Sequence, residues 1–126
     1  MKKIFLLFGL LTGLVSFGQN SDADAIVNAL KSSDAMRLTE HLDEFVDVKL
    51  LDKAEVKNMS RNQAALTLKS FFSENGINGF EKTSQRDVSG ISYLAGKLQN
   101  GNKGYNITIM MKMKNGKWQI ITLRIS

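Results

Sequence analysis

The stretch from Tyr105 to Ile125 constrains this chain most. Two apolar alternations meet at Lys114-Asn115-Gly116-Lys117. Asn-Gly between such runs is the strongest short-range signal of a β-hairpin, because both central residues of the favoured turn take positive φ. A two-residue turn sets the register: Lys114 opposes Lys117, Met113 Trp118, Met111 Ile120, Ile109 Thr122, and Ile107 Arg124. One face then carries Tyr105, Ile107, Ile109, Met111, Met113, Trp118, Ile120 and Arg124. The other carries Met110, Ile121, Leu123 and Ile125 among polar residues. A sheet that is apolar on both faces needs cover on both.

The elements before the hairpin follow from caps and periodicity. Ser21 with Asp24 opens a helix whose stripe is Ala25, Ile26, Ala29 and Leu30, and Ser33-Asp34 recaps a short second helix. Met36, Leu38 and Leu42 form the buried side expected of that second helix. Phe45–Leu51 and Lys53–Met59 alternate as strands around Asp52. Ser60 with Gln63 caps a longer helix from Arg61 to about Asn75, anchored by Ala64, Ala65, Leu68, Phe71 and Phe72, and Asn75-Gly76 stops it. Strands follow at Phe80–Val88 and Ile91–Leu98, with Gly96 marking close packing. Segregated helices and strands argue an α+β fold with antiparallel strands.

Residues 1–18 read as a signal peptide. Lys2 and Lys3 precede an uncharged run from Ile4 to Phe17, and Ser16 and Gly18 suit a cut before Gln19. The run is too short to span a bilayer, and no transmembrane segment is expected in the mature chain. Residues 19–126 read as one domain. Loss of Lys2 and Lys3 lowers the net charge from +5 to +3, a mild balance that does not suggest a nucleic-acid partner. The chain has no cysteine, which excludes disulfides, thiol nucleophiles and Cys-based zinc sites. No cofactor or metal is expected: Asp43, Glu44 and Asp47 lack the spacing and turn glycine of a calcium loop.

The chain resembles a small secreted bacterial family of unknown function within the nuclear transport factor 2-like superfamily, the cystatin-like cone shared with ketosteroid isomerase. The residues that carry the likeness are Phe71-Phe72, Asn75, Phe80, Tyr93, Gly96, Leu98, Tyr105, Lys112, Lys114, Gly116, Trp118, Ile120 and Leu123-Arg124-Ile125. The family has a His-Glu-Gly-like turn where this chain has Ser84-Gln85-Arg86-Asp87. The resemblance implies a strongly bent antiparallel sheet wrapped around one long helix and a helical hairpin. It carries no catalytic residues.

Candidate chemistry is sparse. His41 is the only histidine, and in cone-fold enzymes a histidine or aspartate serves as general base. Of its acidic neighbours only Glu44 shares its face if the helix continues. A histidine in a last helical turn is also what the helix dipole favours. Tyr93 with Asp87 would imitate a tyrosine–carboxylic-acid oxyanion hole, against plain packing of Tyr93 beside Ile91 and Ala95. Arg124 among apolar neighbours either snorkels to water or receives an anion in a pocket of Tyr105, Met111, Met113 and Trp118, suited to a small amphipathic carboxylate. Lys112, Lys114 and Lys117 at the hairpin tip lack interleaved aromatics and protect strand edges.

These readings point to an exported, non-catalytic binding domain. The alternative is a small isomerase- or dehydratase-like enzyme using His41 or an aspartate. Cone folds commonly pair sheet to sheet, so Met110, Ile121, Leu123 and Ile125 are the expected homodimer interface. The opposite assignment of faces exchanges the pocket and interface lists.

Overall fold

The computed structural model describes residues 21–126, and the expected signal peptide lies outside them. Helix α1 (Ser21–Lys31) leads through a left-handed Ser33 into helix α2 (Ala35–Leu38), whose N-cap Asp34 accepts the Arg37 amide at 3.1 Å. A 3-10 turn, Thr39–His41, ends the helical hairpin. Strands β1 (Leu42–Leu50) and β2 (Val56–Ser60) precede helix α3 (Arg61–Glu74). Strands β3 (Gly79–Val88), β4 (Ile91–Gln99), β5 (Gly104–Lys114) and β6 (Lys117–Ile125) complete the chain. The α+β class holds. Leu42 starts β1 rather than extending a helix, and Met36 points to solvent.

The six strands form one sheet in the order β2-β1-β6-β5-β4-β3. All neighbours are antiparallel except β1 and β6, which run parallel. The sheet is therefore mixed. A pairing between the first and last strands has no local sequence signature, since the rest of the chain lies between them.

The hairpin keeps the expected register only from the turn to Met111, which pairs with Ile120. Met110 then pairs with Thr122, so Ile121 is an extra residue in β6. Because side chains alternate with period two, this bulge exchanges the faces of everything beyond it. Ile109 faces Leu123, Ile107 faces Ile125, and Arg124 faces Thr108. Leu123 and Ile125 are consequently core residues, 0% and 1% exposed, and cannot form an outer interface. Arg124 leaves the apolar face for the outer one, where its Nε lies 3.2 Å from Glu55 Oε1.

The inner sheet face is filled. Leu94, Leu98, Ile107, Ile109, Met111, Ile120 and Leu123 are buried beneath Ile26, Leu30, Leu38, Ala64, Leu68, Phe71 and Phe72. Ser60 Oγ caps α3 by accepting the Gln63 amide at 3.3 Å. At its other end Gly76 takes φ +60°, Ile77 N–H donates to Phe72 C=O at 2.9 Å and Gly76 N–H to Ser73 C=O, a Schellman stop. Asn75 ties that stop to the sheet: its Nδ2 donates to Phe71 C=O, its Oδ1 accepts Tyr105 O–H at 3.2 Å, and its C=O accepts Asn100 Nδ2.

Gly96 lies beneath Phe80. A Cβ there would run into the Glu81 carbonyl oxygen and sit 2.5 Å from the Phe80 ring. Overpacking of this kind costs about 1–3 kcal/mol. Urea denaturation of Gly96→Ala is expected to show a loss in that range, and an unchanged midpoint would contradict the packing described.

Candidate functional site

Helix α3 has two working sides. Ala64, Ala65, Leu68, Phe71 and Phe72 face the core. Gln63, Leu66, Thr67, Ser70 and Glu74 recur at helical spacing along a second stripe. That stripe and Leu50, Leu51 and Lys53, at the end of β1 and just beyond, line an open groove of about 440 Å³. A smaller recess of about 120 Å³ continues it between Val48, Val56 and Met59, sharing Leu50, Lys53 and Thr67. Leu66 is 56% exposed.

Leu51 stands in the left-handed region at φ +52°. The other non-glycine residues there are serines and asparagines. A leucine in this conformation is strained, and persists where its surroundings fix it. Leu51 N–H donates to Ile125 C=O at 2.7 Å, and Lys49 Nζ donates to the Leu51 carbonyl. The parallel β1–β6 pairing thus places a leucyl side chain at the groove.

A second, polar recess of about 420 Å³ lies at the hairpin tip among Asp43, Glu44, Arg61, Lys114, Lys117 and Gln119. Its charges are largely committed. Lys114 Nζ sits 2.6 Å from Asp43 Oδ2, and Arg61 Nε donates to Leu42 C=O at 3.1 Å. Burial raises the Asp43 pKa, but the Lys114 hydrogen bond, the Glu44 backbone and nearby cations outweigh it, leaving the carboxyl below its usual range. Asp47 accepts the Asn58 amide at 2.9 Å, so the acidic run is divided between structural contacts.

His41 borders this region. Its Nδ1 is buried with no hydrogen-bond partner among the described residues. Its pKa is lowered, first by desolvation and then by Lys117 and Arg37, against the opposing pull of Asp22 and Glu40. Glu44 does not share its face as a helical neighbour, because the helix has ended. Asp22 arrives instead from α1, where its Oδ2 also accepts the Trp118 amide at 3.0 Å.

The residues expected to form a pocket do not come together. Tyr105 is buried against Phe71, ring centroids 5.7 Å apart, with Lys103 Nζ 5.2 Å from its ring. Met113 is eight positions further along β5, roughly 27 Å at strand spacing, opposite a partly buried Trp118. Met111 is core, and Arg124 is on the outer face. Tyr93 is also on the outer face, opposite Arg86 and Met110, whereas Asp87 accepts Ser92 Oγ on the inner one. The tyrosine–acid pair therefore does not form. The groove was missed because Leu66 falls outside the main apolar stripe of α3. A leucine on the polar side of a helix was the available signal.

A lowered His41 pKa has a definite sign. Below the ordinary value near 6.5 the unfolded chain binds a proton that the folded chain resists, so stability falls with pH until the folded value is passed. Thermal melts at about pH 7.5 and about pH 5 should show a larger drop for the wild type than for His41→Gln. Equal drops would contradict a desolvated His41. The depressed Asp43 titrates in a separate window below about pH 4, where its stabilising contribution is lost as pH falls.

The family model described as "Domain of unknown function (DUF4783)" matches residues 23–126. Crystal structures of DUF4783 family proteins align closely. That from Bacteroides uniformis ATCC 8492 has a TM-score of 0.76 at 20% identity, covering 82% of this chain and 94% of its own. That from Bacteroides fragilis YCH46 has a TM-score of 0.72 at 26% identity, covering 80% and 93%. An NTF-2 like protein of unknown function from Silicibacter pomeroyi DSS-3 shares the fold at a TM-score of 0.60 and 12% identity, covering 84% and 89%. No curated protein matches the chain. The chain belongs to the DUF4783 family and has the NTF2-like, cystatin-like fold.

Proposed function

We propose that this is an exported, non-catalytic binding domain that works as a homodimer through its outer sheet face. Export rests on the Met1–Gln19 pattern. The observation that carries the pairing is a band of apolar side chains across the outer face. Met110 on β5 pairs with Tyr93 on β4, and Ile91 on β4 with Val88 on β3. Ile121 is the bulge residue of β6 beside the Met110–Thr122 pair, and Phe45 on β1 lies two residues before Asp47, which pairs with Thr122. Phe45 is 52% exposed, Val88 44% and Tyr93 39%.

The interface differs from the one expected from simple alternation. Met110 and Ile121 stay in it. Phe45, Tyr93, Ile91 and Val88 take the places of Leu123 and Ile125. A two-fold axis along the strands sets the β1 side of one protomer over the β3–β4 side of its partner, so Phe45 meets Tyr93 and Val88 across the interface. Each residue of such an isologous contact counts twice, which helps offset an association cost of about 4–15 kcal/mol.

The non-catalytic reading is supported by the filled inner face. A general base needs a substrate within hydrogen-bond reach. Leu94, Ile109, Met111 and Ile120 occupy the space where a cone-fold enzyme would hold one, and His41 lies on a turn outside them. Sedimentation equilibrium of the mature protein should return a dimer. Tyr93→Lys combined with Ile121→Lys should return a monomer with unchanged far-UV circular dichroism. A wild-type monomer at every concentration would contradict the pairing.

A further inference from the structure

We infer that the groove between α3 and the β1–β2 connection binds a small amphipathic acid, with its apolar body between Leu50, Leu51 and Leu66 and its carboxylate on Lys53 and Thr67. The inference rests on the reading of the domain as a binding module and names the ligand class.

The size is right: about 440 Å³, with the adjoining recess, lies within the roughly 300–1,000 Å³ of small-molecule sites. Leu50, Leu51, Leu66 and Phe71 supply the apolar part of a lining that also holds Gln63, Ser70, Glu74 and Asn75, and Leu66 is too exposed to be explained by the core. A strained Leu51 is held at the same wall by two hydrogen bonds.

The donors select the head group. Lys53 lines both the groove and its extension, and its ammonium has no ion-pair partner among the described residues. Thr67 Oγ1, also shared by both, donates only to Met59 Sδ, at 3.6 Å. A thioether is a weak acceptor, so this hydroxyl can turn to a better one at little cost. A free ammonium and a poorly matched hydroxyl beside apolar walls call for a ligand that brings an anionic acceptor. Glu74, at the last turn of α3, disfavours an anion at that end, where the helix dipole is also negative. The carboxylate therefore belongs at the Lys53 end.

The test titrates the mature protein with decanoate, decan-1-ol and decyltrimethylammonium, followed by amide chemical shifts. Decanoate is expected to bind and to shift Leu50 to Lys53 and Leu66 to Phe71. Lys53→Gln should weaken decanoate about tenfold, the scale of one charge-assisted contact, without changing decan-1-ol. Leu66→Ser, at an exposed position, should weaken both. Absence of decanoate binding, preference for the cationic probe, shifts on the outer sheet face, or indifference to Lys53→Gln would each overturn the inference. Sedimentation of the same samples separates the two proposals. A monomer that binds decanoate in the groove defeats the dimer alone, and a dimer that does not bind defeats the groove alone.

Discussion

One extra residue in β6 decides which side chains this protein buries. A strand has a side-chain period of two, so the bulge at Ile121 exchanges the faces of every residue after it. Without it, Arg124 would sit opposite Ile107 in the interior, and Leu123 and Ile125 would face outward. With it, two large aliphatic side chains complete the core and the arginine reaches Glu55 outside. An unpaired guanidinium in an apolar interior would cost several kcal/mol. The bulge removes that conflict and lets Leu123 and Ile125 complete the filled inner face.

The parallel β1–β6 pair then links core to surface. It brings the end of β1 beside the C-terminal strand, where Ile125 C=O accepts the Leu51 amide. That contact fixes the strained turn which carries Leu51 to the groove. Helix α3 forms the opposite wall, anchored through Phe71 and Phe72 on one side and stopped by the Asn75 network. Its remaining side is left to face Leu50, Leu51 and Lys53. The β1–β6 pair and α3 thus position a surface where the Lys53 ammonium has no ion-pair partner among the described residues and Thr67 Oγ1 donates only to a thioether.

Much of the fold was legible locally. Asn115-Gly116 fixed the last turn, Ser60 and Gly76 bounded α3, and Asp34 recapped the helical hairpin. What escaped had no local mark. Ile121 is β-branched and suits an unbroken strand as well as a bulge, so nothing in its identity announces the slip. The β1–β6 pairing joins residues more than seventy positions apart. The charges acting on His41 likewise include Asp22 from α1 and Lys117 from β6, besides the adjoining Glu40 and nearby Arg37. The candidate site was less legible than the fold. The expected pocket depended on the register beyond the bulge, whereas Leu66 was visible only as a leucine on the wrong side of a helix.

The most direct measurement is a nuclear Overhauser spectrum of the protein, assigned through β5 and β6. The bulged register predicts cross-strand contacts of Ile109 with Leu123 and of Ile107 with Ile125, while the outer side chains of Thr108 and Arg124 see each other. Contacts of Ile109 with Thr122 and of Ile107 with Arg124 would show an unbroken hairpin. That result would return Arg124 to the inner face and contradict the division of core, interface and groove on which the account stands.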